Sequence, residues 1–232
     1  PLVFVMGSTG VGKSNFASRL SDFFPLEVIN VDSTSVYKGL NIGSGKPNKK
    51  ILTATPHHLL SFCDLSDTYS AARFRFDAIK AISEIRAKGK VPVLVGGTGM
   101  YFRMLERGMA PLPGANAEIR RNLQSLLKRN GVEHLHSILS KLDPLSAERI
   151  NPNDPQRIIR AIEVCRVSGT KMSVLLQVSQ EPLSMPPVKL VLTLRERAKI
   201  HERVSLRFLL MLEQGLINEV SELRRSNKMF RD

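Results

Sequence analysis

The chain has no tryptophan, two cysteines and three tyrosines, and it is poor in acid: 21 Asp and Glu face 34 Lys and Arg, a formal net charge of +13. Cys63 and Cys165 stand alone, without C-x-x-C or Cys/His spacing, which argues against a zinc ribbon or a disulfide framework and for two buried thiols. No apolar run approaches the roughly 20 residues needed to cross a bilayer. The start lacks a basic stretch followed by an apolar region and a cleavage site. A cytoplasmic protein without membrane association is therefore expected. The chain opens at Pro1 rather than Met and stops at Asp232 just after a helical pattern, so it reads as the ordered part of a longer protein. The acid shortage leaves a positive field that favours polyanionic partners.

What is present begins with Gly7, Ser8, Thr9, Gly10, Val11, Gly12, Lys13 and Ser14, a G-x-x-x-x-G-K-[ST] loop. Glycines let successive backbone N–H groups turn inward around an anion, Lys13 adds a point charge, and Ser14 can reach Mg²⁺ bound to a phosphate. Leu2 to Met6 supplies a strand before the loop, and Ser14 to Leu20 a helix whose positive end faces the same anion. The motif marks a binder of a polyphosphate or a pyrophosphate.

Further strands are expected at Glu27 to Val31 and Val91 to Val95. Between them Tyr69 to Lys88 reads as a helix, capped near Ser70, with Ala71, Phe74, Ala78, Ile82 and Ile85 at helical spacing and Gly89 as its stop. Asn48 to Ala54 is polar and reads as a loop. After Pro111-Leu112-Pro113-Gly114 the pattern is helical until Val188 to Leu192 returns as a strand, with three prolines between 182 and 187. The expected fold is α/β: a P-loop NTPase-like parallel sheet flanked by helices, with an all-helical insertion. The division is a core at 1–112, an insertion at 113–187 and a return to the core at 188–232.

Open parallel sheets place ligands at the carboxyl ends of their strands, so the residues just past each strand matter most. An ATPase normally has an acid at the end of an apolar strand; here Val91 to Val95 ends in Gly-Gly-Thr-Gly. Asp32 is left as the one acid well placed beside the phosphate site. It can hold Mg²⁺ through water, accept a proton from an acceptor nucleophile, or simply cap the next turn. Between Ile119 and Lys171 ten Lys or Arg face five acids. This is either a nucleic-acid surface or a solvated helical face, and composition leaves both open.

The stretch Val31-Asp32-Ser33-Thr34-Ser35-Val36-Tyr37-Lys38-Gly39-Leu40-Asn41-Ile42-Gly43-Ser44-Gly45-Lys46-Pro47 resembles the V-D-S-x-Q-V-Y-[KR]-G-x-[DN]-I-G-[ST]-x-K-P signature of the tRNA dimethylallyltransferases, or isopentenyltransferases. Further matches follow in order at Pro56-His57-His58-Leu59, Tyr69 to Phe74, Gly96 to Tyr101, Asp143-Pro144, Ile150 to Asp154, Gln156 to Val164 and Gly215 to Val220. They span nearly the whole chain. The resemblance is to the bacterial type; this sequence does not include the zinc-finger extension of the eukaryotic relatives, and the missing G-Y-[RK]-Q-type C-terminal segment fits truncation.

The resemblance implies transfer of a dimethylallyl group from dimethylallyl diphosphate to the exocyclic amine of the adenosine 3′ to the anticodon. It implies a monomer working with Mg²⁺ on the anticodon stem-loop of tRNA. Residues 7 to 14 would hold the diphosphate, with Ser14 meeting Mg²⁺ through it. Asp32 would be the base, Thr98 would contact the target nucleotide, and Arg207 would approach the diphosphate from a helix over Ala198 to Leu212, with Arg203 on the same face. Asp32, Ser33, Thr34, Ser35, Thr98, Arg120, Gln156, Arg157, Ile158, Ile159 and Arg160 would meet the tRNA. Asp154 and Pro155 start the helix that carries the last five of these, with Gln156, Arg160 and Glu163 on its polar side and Ile158, Ile162 and Cys165 on another. Ser35 departs from the family's glutamine, which puts the recognition detail at that position in question. His57 and His58 have no third metal ligand at suitable spacing.

Two rival functions remain at this stage. One is prenylation of free adenine nucleotides, which needs little of a basic insertion. The other is a non-catalytic RNA-binding relative.

Overall fold

The computed structural model describes residues 1–178 and 182–226. Residues 227–232 of the expected C-terminal return lie outside the described residues. In chain order the elements are β1 (Val3–Gly7), α1 (Lys13–Leu20), β2 (Leu26–Val31), α2 (Lys49–Ala54), β3 (His57–His58), α3 (Ala71–Ala87), β4 (Val91–Gly96), α4 (Gly99–Arg107), α5 (Ala117–Leu142), α6 (Pro144–Arg149), α7 (Pro155–Ser168), α8 (Met172–Leu175), β5 (Val188–Leu192), α9 (Arg197–Glu213) and α10 (Leu216–Arg225).

The five strands form one parallel sheet in the order β3-β2-β4-β1-β5. Alternation along the strands gives it two apolar faces. Phe4, Ile29 and Leu94 point to one side and pack with Phe74, Ala78 and Ile85 of α3 and Phe102 and Leu105 of α4. Val3, Val5, Val28, Val93 and Val95 point to the other and meet Ala17, Phe16 and Leu20 of α1. Phe74 stacks on Tyr101 with ring centroids 4.3 Å apart, and Phe4 tilts against Phe102 at 5.0 Å. Burying each such side chain contributes about 1.5–3 kcal/mol.

One expectation needs correction, and one element was not anticipated. Residues 49–54 are the helix α2, because the Asn48 side chain accepts a hydrogen bond from the Ile51 amide and caps the turn despite the polar sequence. His57 and His58 form the short edge strand β3. His58 Nε2 lies 2.6 Å from Glu27, and Glu27 also takes Lys88 at 3.1 Å and Lys90 at 2.9 Å. Burial pushes the Glu27 carboxyl up, but its bonds to Lys90, His58 and Lys88 outweigh this and bring it down to about 2.

The chain divides into two compact units: Pro1–Glu106 with the chain from Leu183 onward, and Arg107–Pro182. The boundaries fall slightly earlier than 113 and 187. Leu183 and Met185 pack on the sheet's core, and the Leu183 amide donates to the Glu106 carbonyl, so the proline-rich segment belongs with the sheet.

The helical unit has its own core of Leu123, Leu135, Leu139, Ala147, Ile158, Ala161 and Ile162. Within it α5 breaks at Gly131, whose φ is +79°. Asp143 is fully buried and caps α6; both of its oxygens are taken, by the amides and hydroxyls of Ser146 and Ser173.

Candidate active site

The β1–α1 loop does what its spacing implies. Gly10 and Gly12 adopt φ of +86° and +92°, and α1 begins with no side-chain cap and no acid in its first turn. Its leading amides are thus available to an anion. Lys13 Nζ donates to the Gly7 and Ser8 carbonyls at 2.9 and 2.8 Å. Burial lowers the Lys13 pKa and the nearby Arg207 guanidinium lowers it further, while Asp32 pulls the other way.

A cavity of about 350 Å³ opens over this loop. Thr9, Lys13 and Ser14 form one part of its wall, Asp32, Thr34 and Ser35 another, Gly43, Ser44 and Gly45 a third, and Val204, Arg207, Phe208 and Met211 of α9 a fourth. Such a size suits a small ligand. Arg207 enters beneath Gly45. A β-carbon at Gly45 would sit 1.6 Å from Arg207 Nη2, so a side chain there would displace the guanidinium, and the φ of +60° also favours glycine. Its one described hydrogen bond is to the Gly45 carbonyl at 3.4 Å. Arg203 is exposed, and its β-carbon packs with Val204 over Gly10.

Asp32 follows β2. Its Oδ1 accepts from the Thr34 amide at 2.8 Å, the Thr34 hydroxyl at 2.6 Å and the Ser35 amide at 3.1 Å. Among the described residues Oδ2 accepts none. Burial raises the carboxyl's pKa, but the bonds from Thr34 and Ser35 prevail and hold it below the usual aspartate value, so it is ionised at neutral pH. The site therefore sets two cations and an anion loop against one carboxylate with a free oxygen. It can bind a diphosphate at one end and take a proton at the other.

Ser35 lines the cavity, while Ser33 and Thr98 are outside its described wall. Ser35 is buried and anchors Asp32, while Ser33 is exposed. Thr98 opens α4: its amide donates to the Val31 carbonyl and its carbonyl accepts from Tyr101 and Phe102, and the cavity wall reaches Gly96 and Gly97 but not Thr98.

In the helical unit, Glu163 is not on a polar face but fully buried. It accepts from Arg120 Nε at 2.8 Å, Arg160 Nη1 at 2.6 Å and the Asn116 amide at 2.7 Å, and Arg160 also donates to the Pro113 carbonyl. Arg120 and Arg160 are thus tied to an internal anion while staying partly exposed, at 43% and 32%. Ile158 is fully buried, and Ile159 packs against the same core. Gln156 and Arg157 are exposed.

Sequence reasoning missed the loop 41–45 and its anchor Glu219 on α10, whose carboxylate accepts from the Asn41, Ile42 and Gly43 amides at 2.8 Å each. The only signal was that both segments fall inside matched motifs.

The IPP transferase family model matches residues 35–231. The chain belongs to that family. The phosphate loop and Asp32 precede the matched stretch and stand on their own geometry. A tRNA dimethylallyltransferase of Nitrosomonas europaea is 46% identical over 226 residues, which are 97% of this chain and 71% of that protein. Among solved structures, a eukaryotic dimethylallyltransferase acting on tRNA superposes with a TM-score of 0.80 at 30% identity, covering 99% of this chain and 58% of its own. The full-length tRNA isopentenylpyrophosphate transferase of Bacillus halodurans gives 0.61 at 34% identity, covering 98% and 71%. The chain thus spans 58% to 71% of the length of these family members. No helix among the described residues is long and apolar enough to cross a membrane.

Proposed function

We propose that the chain transfers the dimethylallyl group of dimethylallyl diphosphate to the exocyclic amine of the adenosine 3′ to the anticodon in tRNA. The observation that carries this reading is the single cavity in which Lys13, Arg207 and the open end of α1 face an ionised Asp32. Family membership and the named activity of the Nitrosomonas relative support the choice of donor and acceptor.

In the reaction the allylic C–O bond breaks as the adenine nitrogen forms a bond to the same carbon. Negative charge grows on the departing diphosphate, where the loop amides, Lys13 and Arg207 meet it; removing one such donor typically costs about 3 to 4 kcal/mol of barrier. The amine proton passes to Asp32 Oδ2. An aromatic amine is a poor nucleophile until that proton leaves, and a positioned base supplies about 100- to 10,000-fold.

The oxygen donors facing the cavity suit Mg²⁺, which takes few protein ligands when phosphates supply the rest; the Ser14 hydroxyl would hold it together with diphosphate oxygens. When bound, the ion neutralises leaving-group charge. Gln156 and Arg157, exposed on α7, are the residues of the helical unit offered to the tRNA, and the cytoplasm is the compartment this substrate implies.

The test is a prenyl-transfer assay with dimethylallyl diphosphate, Mg²⁺ and an A-rich anticodon stem-loop, followed by mass analysis of the nucleoside. The expected product is dimethylallyl-adenosine in the stem-loop, with none on free AMP. Transfer to AMP alone would reassign the acceptor. Stem-loop binding with no product at saturating donor would leave an RNA-binding protein.

A further inference from the structure

Glu219 has no part in the chemistry above, yet it holds one wall of the cavity from 176 to 178 residues away in sequence. Its Oε2 takes the Asn41 and Ile42 amides and its Oε1 takes Gly43. Three main-chain N–H groups aimed at one carboxylate form a charge-assisted clasp, stronger than neutral pairing. The clasped loop then closes on itself: the Gly45 amide donates to the Ile42 carbonyl at 2.8 Å, and the Lys46 amide to Asn41 at 3.2 Å. Gly45 in turn presents its carbonyl to Arg207 and leaves the gap through which the guanidinium reaches the cavity.

We infer that Glu219 is a positioning residue for the diphosphate donor: by clasping amides 41–43 it places Gly45, and through Gly45 it aims Arg207. The inference rests on the reading of the cavity as the donor site. A carboxylate serves here because it accepts at both oxygens. Glutamine would turn an N–H donor toward one of the three amides, leaving a donor against a donor. The loop would shift, and misplacing a binding group by about 1 Å can cost on the order of 100-fold.

The experiment is steady-state kinetics of the full-length protein with dimethylallyl diphosphate and an anticodon stem-loop, comparing wild type, Glu219→Gln, Arg207→Ala and the double variant. Glu219→Gln is expected to raise the donor KM about 10-fold or more while the stem-loop KM stays within about twofold. Added to Arg207→Ala it should cost less than about threefold further, because both act through one guanidinium. Amide exchange should quicken at residues 41–43 and stay slow in the sheet.

A donor KM unchanged in Glu219→Gln, equal loss on both substrates, or effects that multiply in the double variant would make Glu219 a mere brace of the fold and overturn the inference. Should Glu219→Gln not fold, Glu219→Asp, which keeps the charge but withdraws it by one methylene, is read by the same criteria. A wild-type protein without transfer, yet with slow exchange at 41–43, would instead overturn the donor reading.

Discussion

Asp32 of the sheet unit, half-buried, and Asp143 of the helical unit, fully buried, are both carboxylates ringed by Ser or Thr hydroxyls and amides, and they differ in how many of their oxygens are occupied. Asp143 has both oxygens occupied, by Ser146 and Ser173, and joins three helices. Asp32 has only Oδ1 occupied. The arginines repeat the contrast. Arg120 and Arg160 close on buried Glu163, whereas among the described residues Arg207 has only a carbonyl at 3.4 Å and shares its surroundings with Lys13. A charged group whose bonds are completed inside the protein builds the fold; one left incomplete at a cavity awaits a ligand.

Exchanging the aspartates gives the largest predicted difference. Asp32→Asn should lower kcat by about 100- to 10,000-fold with tRNA affinity within a few-fold, measured by single-turnover prenylation. Asp143→Asn should instead weaken the helical unit by about 1–3 kcal/mol in urea titrations, since a donor replaces an acceptor in a buried network. For wild type, the acid limb of kcat/KM should lie below the usual aspartate value of 3.8, because Asp32 is the base only when ionised and its pKa is lowered.

A smaller effect separates stability from activity by pH. The Glu27 carboxyl is held at about 2, so its contribution to stability is complete above the ordinary value of 4.5 and is lost as pH falls from there toward 2. Glu27→Gln should flatten that part of the unfolding-midpoint profile while leaving the donor KM unchanged.

The smallest prediction concerns the arginines of α7. Exposed Arg157 has, among the described residues, only Asp154 at 3.4 Å, so Arg157→Ala should reduce the salt slope of tRNA binding by about one. Arg160→Ala should lower stability and change the slope less, as its guanidinium is tied to Glu163 and to the Pro113 carbonyl. Equal slopes for both variants would erase the contrast between an exposed arginine and one tied to a buried carboxylate.

How far the sequence carried the reading depends on distance along the chain. The phosphate loop, the strand before it, the Ser70 and Asp154 caps and the Asp32 turn all rest on residues within a few positions of one another, and their spacing alone set their geometry. Asn48 was an equally local signal, but a polar stretch hid it. Family likeness added the donor and the acceptor, which no spacing can specify.

Tertiary structure decided the remainder. That Glu163 is a buried anion met by Arg120, that Arg160 also reaches the Pro113 carbonyl, and that Glu219 clasps amides 41–43 all depend on which segments meet across about 40 to 180 residues. Charge type and periodicity show that a side chain can form an ion pair; only packing determines whether its partner lies within the protein or must arrive as substrate.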